Sequence, residues 1–182
     1  MPILNLEKKM LMINIRNAHP SEFSQIGDLM VKVYSELAGF PKPSEQPAYY
    51  QMLANVGQLT EQPSIELLVA VNPSKQILGG VIFIGDMQYY GSGGTATQEK
   101  NAAGFRLLGV SPLSRGLGVG KLLSQACITK ARTLNRQQVV IHTTEAMKIA
   151  WGMYEKLGFV RSEDLDFMQG QLPVFGFRLS LS

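Results

Sequence analysis

The sequence predicts an α/β (α+β) domain in which strands of mixed direction carry helices on the sheet. Apolar runs of strand length recur between segments of helical period. Two of those runs are joined by the short polar turn Asn72-Pro73-Ser74-Lys75, which marks an antiparallel hairpin. A glycine-dense turn at 115–121 connects a strand to a helix, as an alternating strand and helix order requires.

Taken in order, Ile13-Asn14-Ile15-Arg16 reads as a first strand, and Pro20-Ser21-Glu22 opens a helix whose period runs to about Leu37. Gly39-Phe40-Pro41-Lys42-Pro43 breaks the chain, and residues 47–58 form a short second helix. Residues 66–71 and 77–84 are the hairpin strands. Residues 89–104, with Gly91-Ser92-Gly93-Gly94, lack periodicity and read as a long loop outside the core; loops of this length are commonly functional or disordered. A strand at 105–110, a helix at 116–135 and a buried strand at 138–143 follow. A helix at 146–157 and closing strands at 159–161 and 174–181 complete the sheet. In that last helix Ala146, Ile149, Ala150, Met153, Tyr154 and Leu157 recur at helical spacing on one apolar face, which turns Tyr154 inward.

Composition sets bounds on function. A chain of 182 residues with 45% hydrophobic and 17% charged residues can bury the core of one ordinary globular domain. Residues 1–14 lack the ordered regions of a secretory signal, and no run reaches the roughly 20 apolar residues of a membrane span. One cysteine cannot form an internal disulfide, so the expected compartment is the cytosol. A net charge of +3 is too small and scattered to argue for nucleic acid but suits an anionic ligand. Histidine and cysteine are too few and too far apart for a zinc site, so no metal is expected. Cys127 falls on the apolar side of its helix and reads as a buried small hydrophobe.

The segment Arg115-Gly116-Leu117-Gly118-Val119-Gly120-Lys121 carries the chemistry. Glycines let the backbone approach a ligand, and the first N–H groups of the following helix lack intrahelical partners at the positive end of its dipole, so the expected ligand carries phosphate. A P-loop would need glycine at Arg115 and a hydroxyl residue at Leu122. A dinucleotide fingerprint would need G-x-G-x-x-G, whereas Gly116, Gly118 and Gly120 give G-x-G-x-G. What remains is [QR]-x-x-G-x-[GA]. A second string, Ala150-Trp151-Gly152-Met153-Tyr154-Glu155-Lys156-Leu157-Gly158-Phe159, matches A-x-x-x-Y-x-K-x-G-F. With both in order and a strand between them, the chain resembles the GCN5-related N-acetyltransferase (GNAT) superfamily over about residues 66–159.

That resemblance implies a mixed, largely antiparallel central sheet flanked by helices, forming a single acetyltransferase domain over residues 1–182 with a flexible segment at 1–12. It implies acetyl-CoA as co-substrate, its pyrophosphate held by main-chain N–H groups of Gly116, Leu117, Gly118, Val119, Gly120 and Lys121, with a charge contact from Arg115. Backbone groups of Leu108, Gly109 and Val110 would lie along the pantetheine arm, the Val110 N–H serving the acetyl carbonyl. Tyr154 would act as general acid at the departing sulfur, since a phenol with an ordinary pKa of about 10 stays protonated at neutral pH. A homodimer is expected at the level of the fold.

The general base is not evident. The family often places a glutamate on the strand before the loop, yet residues 102–110 hold no acid. Asp86, Glu145 and His142 are the candidates, each with a structural or solvated role as its default reading. Met147 stands where the family often has a cofactor-contacting asparagine, so that contact does not carry over. Acceptor specificity would come from about residues 29–62 and 86–104, where Tyr49 and Tyr50 either line a pocket or pack helices. The function implied is direct acetyl transfer to a primary amine of a small molecule or peptide. The alternative is a non-catalytic acyl-CoA-binding or sensory module.

Overall fold

The structure is a computed structural model that describes residues 12–182, with Asn5 and Lys8 before them. The expected flexible segment at 1–12 lies, apart from Asn5, Lys8 and Met12, outside the described residues.

Strand β1 (Asn14–Asn17) pairs antiparallel with β2 (Ile65–Val71), and β2 with β3 (Ile77–Ile84) as the expected hairpin. Antiparallel β4 (Ala102–Val110) follows, then β5 (Gln138–Thr143), which runs parallel to β4. Beyond β5 come β8 (Leu172–Ser180) and β6 (Val160–Arg161), and β7 (Phe167–Gln169) forms a separate ladder with β8. The sheet is therefore mixed and largely antiparallel, in agreement with the expectation.

Helices cover both faces, which explains why β2 is apolar almost throughout rather than alternating. Leu67, Val69 and Val71 join Ile26 and Met30 of α1 (Phe23–Ser35) and Leu53 of α2 (Pro47–Ala54) in one core. Leu68 and Ala70 join Leu123, Cys127 and Ala131 of α3 (Val119–Thr133) and Tyr154 of α4 (Lys148–Lys156) in the other. Cys127 is fully buried, as its spacing foretold. Among the described residues no helix is long and apolar enough to cross a membrane.

Four details differ from the sequence reading. The second helix stops at Ala54, where Asn55 Nδ2 takes the Gln51 carbonyl at 2.9 Å and a 3-10 turn, Val56–Glu61, takes over. β4 starts at Ala102, and the preceding segment is not outside the core: Met87, Tyr90 and Ala96 are buried at 0%, 2% and 0% exposure. The helix after the glycine turn starts at Val119, because Gly116 and Gly118 adopt left-handed backbone with φ of +81° and +80°. On α4 the apolar stripe is not wholly buried, since Ile149, in the first turn, is 89% exposed.

Two irregularities of β4 prepare the site. Its ladder with β5 ends at Gly104 opposite Val140, although β4 runs on to Val110, so the two strands part. Opposite β3, Gly109 faces Gly80 while Arg106 faces Ile82, so Leu107 and Leu108 together oppose Val81 in a β-bulge. Leu107 sits there at φ +58°, which costs a leucine on the order of 1–2 kcal/mol.

Candidate active site

A cavity of about 740 Å³ occupies the gap where β4 and β5 part. Its wall includes Leu108, Val110, Arg115, Gly116, Gly118, Val119, Gly120, Lys121 and Tyr154, so nine of the expected site residues meet in one space. Four do not line it. Gly109 belongs to the packing of α1, since a Cβ there would come 2.7 Å from Met30 Sδ. Leu117 turns its side chain into the second core and its N–H to the Ser114 carbonyl at 3.3 Å. Asp86 caps a 3-10 turn, accepting from Gln88 N at 3.1 Å and Gln88 Nε2 at 3.0 Å, bonds that hold its carboxyl below the usual range. Glu145 is exposed to solvent.

At the start of α3 the turn 114–118 brings the backbone round so that amides face outward. The first turn of a helix has no intrahelical acceptors, and among the described residues the N–H groups of Gly116, Gly118, Val119, Gly120 and Lys121 find no other protein acceptor. A Cβ at Gly116 would meet nothing within 4 Å, leaving a cradle of bare backbone. Arg115, Lys121 and Lys148 stand exposed on the same wall. These residues fit a pyrophosphate, because unpartnered amides, a helix N-terminus and three cations all favour phosphate oxygens.

Farther in, Ser111 N–H donates to the Leu78 carbonyl of β3 at 2.8 Å. Successive residues of an antiparallel ladder face alternate sides, so Val110 turns its N–H away from β3, toward the gap left by β5. That amide is free to donate to a ligand in the gap. The Leu108 carbonyl accepts the Tyr34 hydroxyl at 3.1 Å.

Tyr154 is 5% exposed and packs edge-on against Phe105 and Phe159, at centroid distances of 5.9 and 5.8 Å. Its hydroxyl makes no hydrogen bond among the described residues, although a buried phenol ordinarily bonds a core carbonyl. Burial pushes the phenol well above its usual value, so it stays protonated.

Sequence reasoning missed much of the far wall. Tyr34, Phe40, Tyr90, Phe167 and Arg106 line it, beside Tyr49, for which a pocket wall is one of the two sequence readings. The early aromatics divide: Tyr49 reaches the cavity, whereas Tyr50 packs inward and donates to the Pro41 carbonyl at 2.6 Å. Phe167 and Gln169 arrive on β7, whose Gly170 turn with φ +60° is the signal that could have revealed a hairpin. His142 lines the wall with both ring nitrogens engaged. Burial pushes the Tyr90 phenol up to about 12, so Tyr90 donates to Nδ1 at 3.1 Å and Nε2–H donates to the Leu165 carbonyl at 2.7 Å. Desolvation lowers the pKa of this imidazole and keeps it neutral. The Oγ1 of Thr144 and the Oγ of Ser92, both in the wall, are buried without a partner.

Comparison with known proteins agrees with this geometry. The curated mycothiol acetyltransferase of Paenarthrobacter aurescens is 38% identical over 66 residues, a segment spanning 36% of this chain but 20% of that protein. An acetyltransferase of the GNAT family from Staphylococcus aureus Mu50 superposes with a TM-score of 0.72 at 18% identity, covering 93% of this chain and 99% of its own. The Salmonella typhimurium protein yncA, solved with its cofactor acetyl-CoA, gives a TM-score of 0.64 at 16% identity and covers 94% of this chain and 95% of its own. The sequence pattern of the acetyltransferase (GNAT) family matches residues 29–159. Spanning well over half of the chain and containing the glycine turn, the gap beside β4 and Tyr154, that match makes the protein a member of the acetyltransferase (GNAT) family.

Proposed function

We propose that this acetyltransferase passes the acetyl group of acetyl-CoA directly to a primary amine, with residues 1–182 acting as one catalytic domain in the cytosol. The observation that carries the reading is the continuity of one cavity from the free amides of Gly116, Gly118, Val119, Gly120 and Lys121, past the Val110 amide, to the Tyr154 hydroxyl. The thioester supplies an activated acyl carbon: the amine nitrogen bonds to it and the carbon–sulfur bond breaks, the proton that nitrogen gives up passing through water to the departing sulfur, so that an amide and the free thiol result.

The chain's own part is positioning and charge stabilisation. The amides of Gly116, Gly118, Val119, Gly120 and Lys121 hold the pyrophosphate, and the Val110 amide faces the oxygen on which charge first gathers. Tyr154 donates a hydrogen bond to the sulfur. Full proton transfer from that phenol is uphill, since burial raises its pKa while an ordinary thiol has a pKa of about 8.5. The one thiol is no nucleophile for the acyl carbon, because Cys127 lies on the core-facing side of α3, fully buried and with its thiol pushed up by burial.

No carboxylate lines the cavity among the described residues, and both nitrogens of His142 are engaged. The amine therefore sheds its ammonium proton to water before attack, and the rate follows the acceptor's own ionisation. The same observation favours a second reading, an acyl-CoA-binding module without turnover. Thiol release from acetyl-CoA in the presence of an amine panel separates the two. Acceptor-dependent release supports transfer; saturable CoA binding with no release for any amine rejects it.

A further inference from the structure

Arg106 holds the one charged side chain on β4, the strand where a general base would be sought. Its neighbours in the fold are Tyr34, Tyr49, Tyr90 and His142, so it belongs to the far wall of the cavity rather than to the amide cradle at 116–121. The guanidinium is half-buried, and among the described residues no carboxylate lies within ion-pairing distance of it. Its single hydrogen bond runs from Nη1 to the Tyr90 carbonyl at 3.1 Å. A guanidinium has five N–H donors in a planar fork, so most of its capacity is unspent. A cation taken partly out of water without a counterion is costly unless a ligand supplies one.

The rest of the wall points the same way. Arg106, Arg115, Lys121 and Lys148 are its four charged side chains, and all are positive. The last three belong with the phosphates at the helix starts, which leaves Arg106 alone at the acceptor end. A polyamine would meet a like charge there with no acid to receive it. In the same cavity wall Val33, Leu37, Phe40, Tyr49 and Phe167 offer an apolar surface, with the unpartnered Ser92 hydroxyl beside the Tyr90 segment that Arg106 binds.

We propose that the acceptor is an amine that also carries a carboxylate, an amino acid with an apolar side chain, and that Arg106 is its specificity-determining residue, gripping the carboxylate while the amine faces the acyl carbon. This rests on the acetyl-transfer reading above but commits further than it. A forked guanidinium–carboxylate pair fixes orientation as well as affinity, which is how one side chain on β4 would hold the amine in line with the Val110 amide.

The test compares matched acceptors on the wild-type protein: L-phenylalanine, L-phenylalaninamide and 2-phenylethylamine, then L-leucine, L-leucinamide and isoamylamine, with spermidine as the polycation. kcat/KM for thiol release is expressed per unprotonated amine, so that differing amine pKa values do not mimic preference. Each carboxylate should exceed its amide and its decarboxylated partner by about 10- to 100-fold, the range of a charge-assisted pair. In Arg106→Gln the preference should shrink to about threefold or less, with CoA binding reporting that the variant is folded. Equal or better turnover of the amides, the plain amines or spermidine overturns the proposal and leaves acetyl transfer standing. Should no amine turn over, calorimetry with L-phenylalanine and N-acetyl-L-phenylalanine on the CoA-loaded protein decides, and absence of millimolar binding overturns it. Failure of the protein to bind CoA at all removes the acetyl-transfer reading and this proposal with it. The wild-type comparison needs no variant, so an unfolded Arg106→Gln cannot shield the idea.

Discussion

Replacing Tyr154 with phenylalanine isolates the hydroxyl. The ring keeps its edge-on contacts with Phe105 and Phe159, at interplanar angles of 62° and 65°, so packing is unchanged. The hydroxyl has no protein partner, so its removal orphans no buried carbonyl, and stability should stay within about 0.5 kcal/mol of wild type. In the proposed mechanism, what disappears is one donor to a sulfur that becomes anionic as it departs. A hydrogen bond to a charged group is worth about 1.5–3 kcal/mol, and each 1.36 kcal/mol is tenfold in rate. Tyr154→Phe should therefore lower kcat by about 10- to 150-fold with little change in CoA affinity. Release of CoA can be followed with a thiol reagent, because Cys127 is 0% exposed with its own thiol pushed up by burial, so the folded protein does not react. Wild-type kcat would remove Tyr154 from the mechanism, and a loss near 10⁴-fold would replace hydrogen bonding by full proton transfer.

Gly118→Val puts a β-branched residue at φ +80° in the amide cradle and should weaken CoA binding at least about tenfold by calorimetry, with some loss of stability. Gly152→Ala is its control, since a Cβ there meets nothing within 4 Å on a helix, and it should raise Tm slightly without changing CoA affinity. At the apex where β4 and β5 part, a Cβ on Gly104 would stand 2.7 Å from the Val140 carbonyl and 2.8 Å from Met87 Sδ, so Gly104→Ala should cost about 1–3 kcal/mol in urea unfolding; a wild-type midpoint would contradict the crowding. The folded protein disfavours His142⁺, because desolvation lowers the pKa of its imidazole. The unfolded chain then takes up that proton first, and stability should fall as pH drops through about 6.5 and be flat from this source above it. An imidazole titration by NMR with a midpoint at or above that value would contradict the burial argument.

The half of the molecule that handles the acyl donor was readable because its signals are local. A glycine turn between a strand and a helix constrains its own backbone, and helical spacing alone turns Tyr154 inward. The acceptor end resisted for the opposite reason. Tyr34, Tyr49, Tyr90 and Phe167 come from four separate parts of the chain and meet only after the sheet has formed. Arg106 was hidden by the bulge: strand alternation assigns faces by counting, and the extra residue at Leu107 shifts the count between Arg106 and Val110. β7 is three residues long, too short for a period to register.

The bulge also links the two ends of the reaction. Without it, β4 would keep regular alternation from Arg106 to Val110, and the side chain proposed to grip the acceptor and the amide proposed to meet the acyl oxygen would stand in a different phase. Leu107 bears the strain of the left-handed backbone, while the Tyr34 bond to the Leu108 carbonyl holds the irregular segment against α1. Strain of that kind persists where surrounding contacts fix it. The wall thus presents positive charge at each end and neutral donors between them. If the acceptor is an amino acid as proposed, two anionic substrates would each be met by cations at their own end, and their reactive groups, both uncharged, would come to the stretch of the cavity that carries no charge. The missing acid on β4 is then accounted for as well: a carboxylate beside Arg106 would neutralise the group proposed to orient the acceptor.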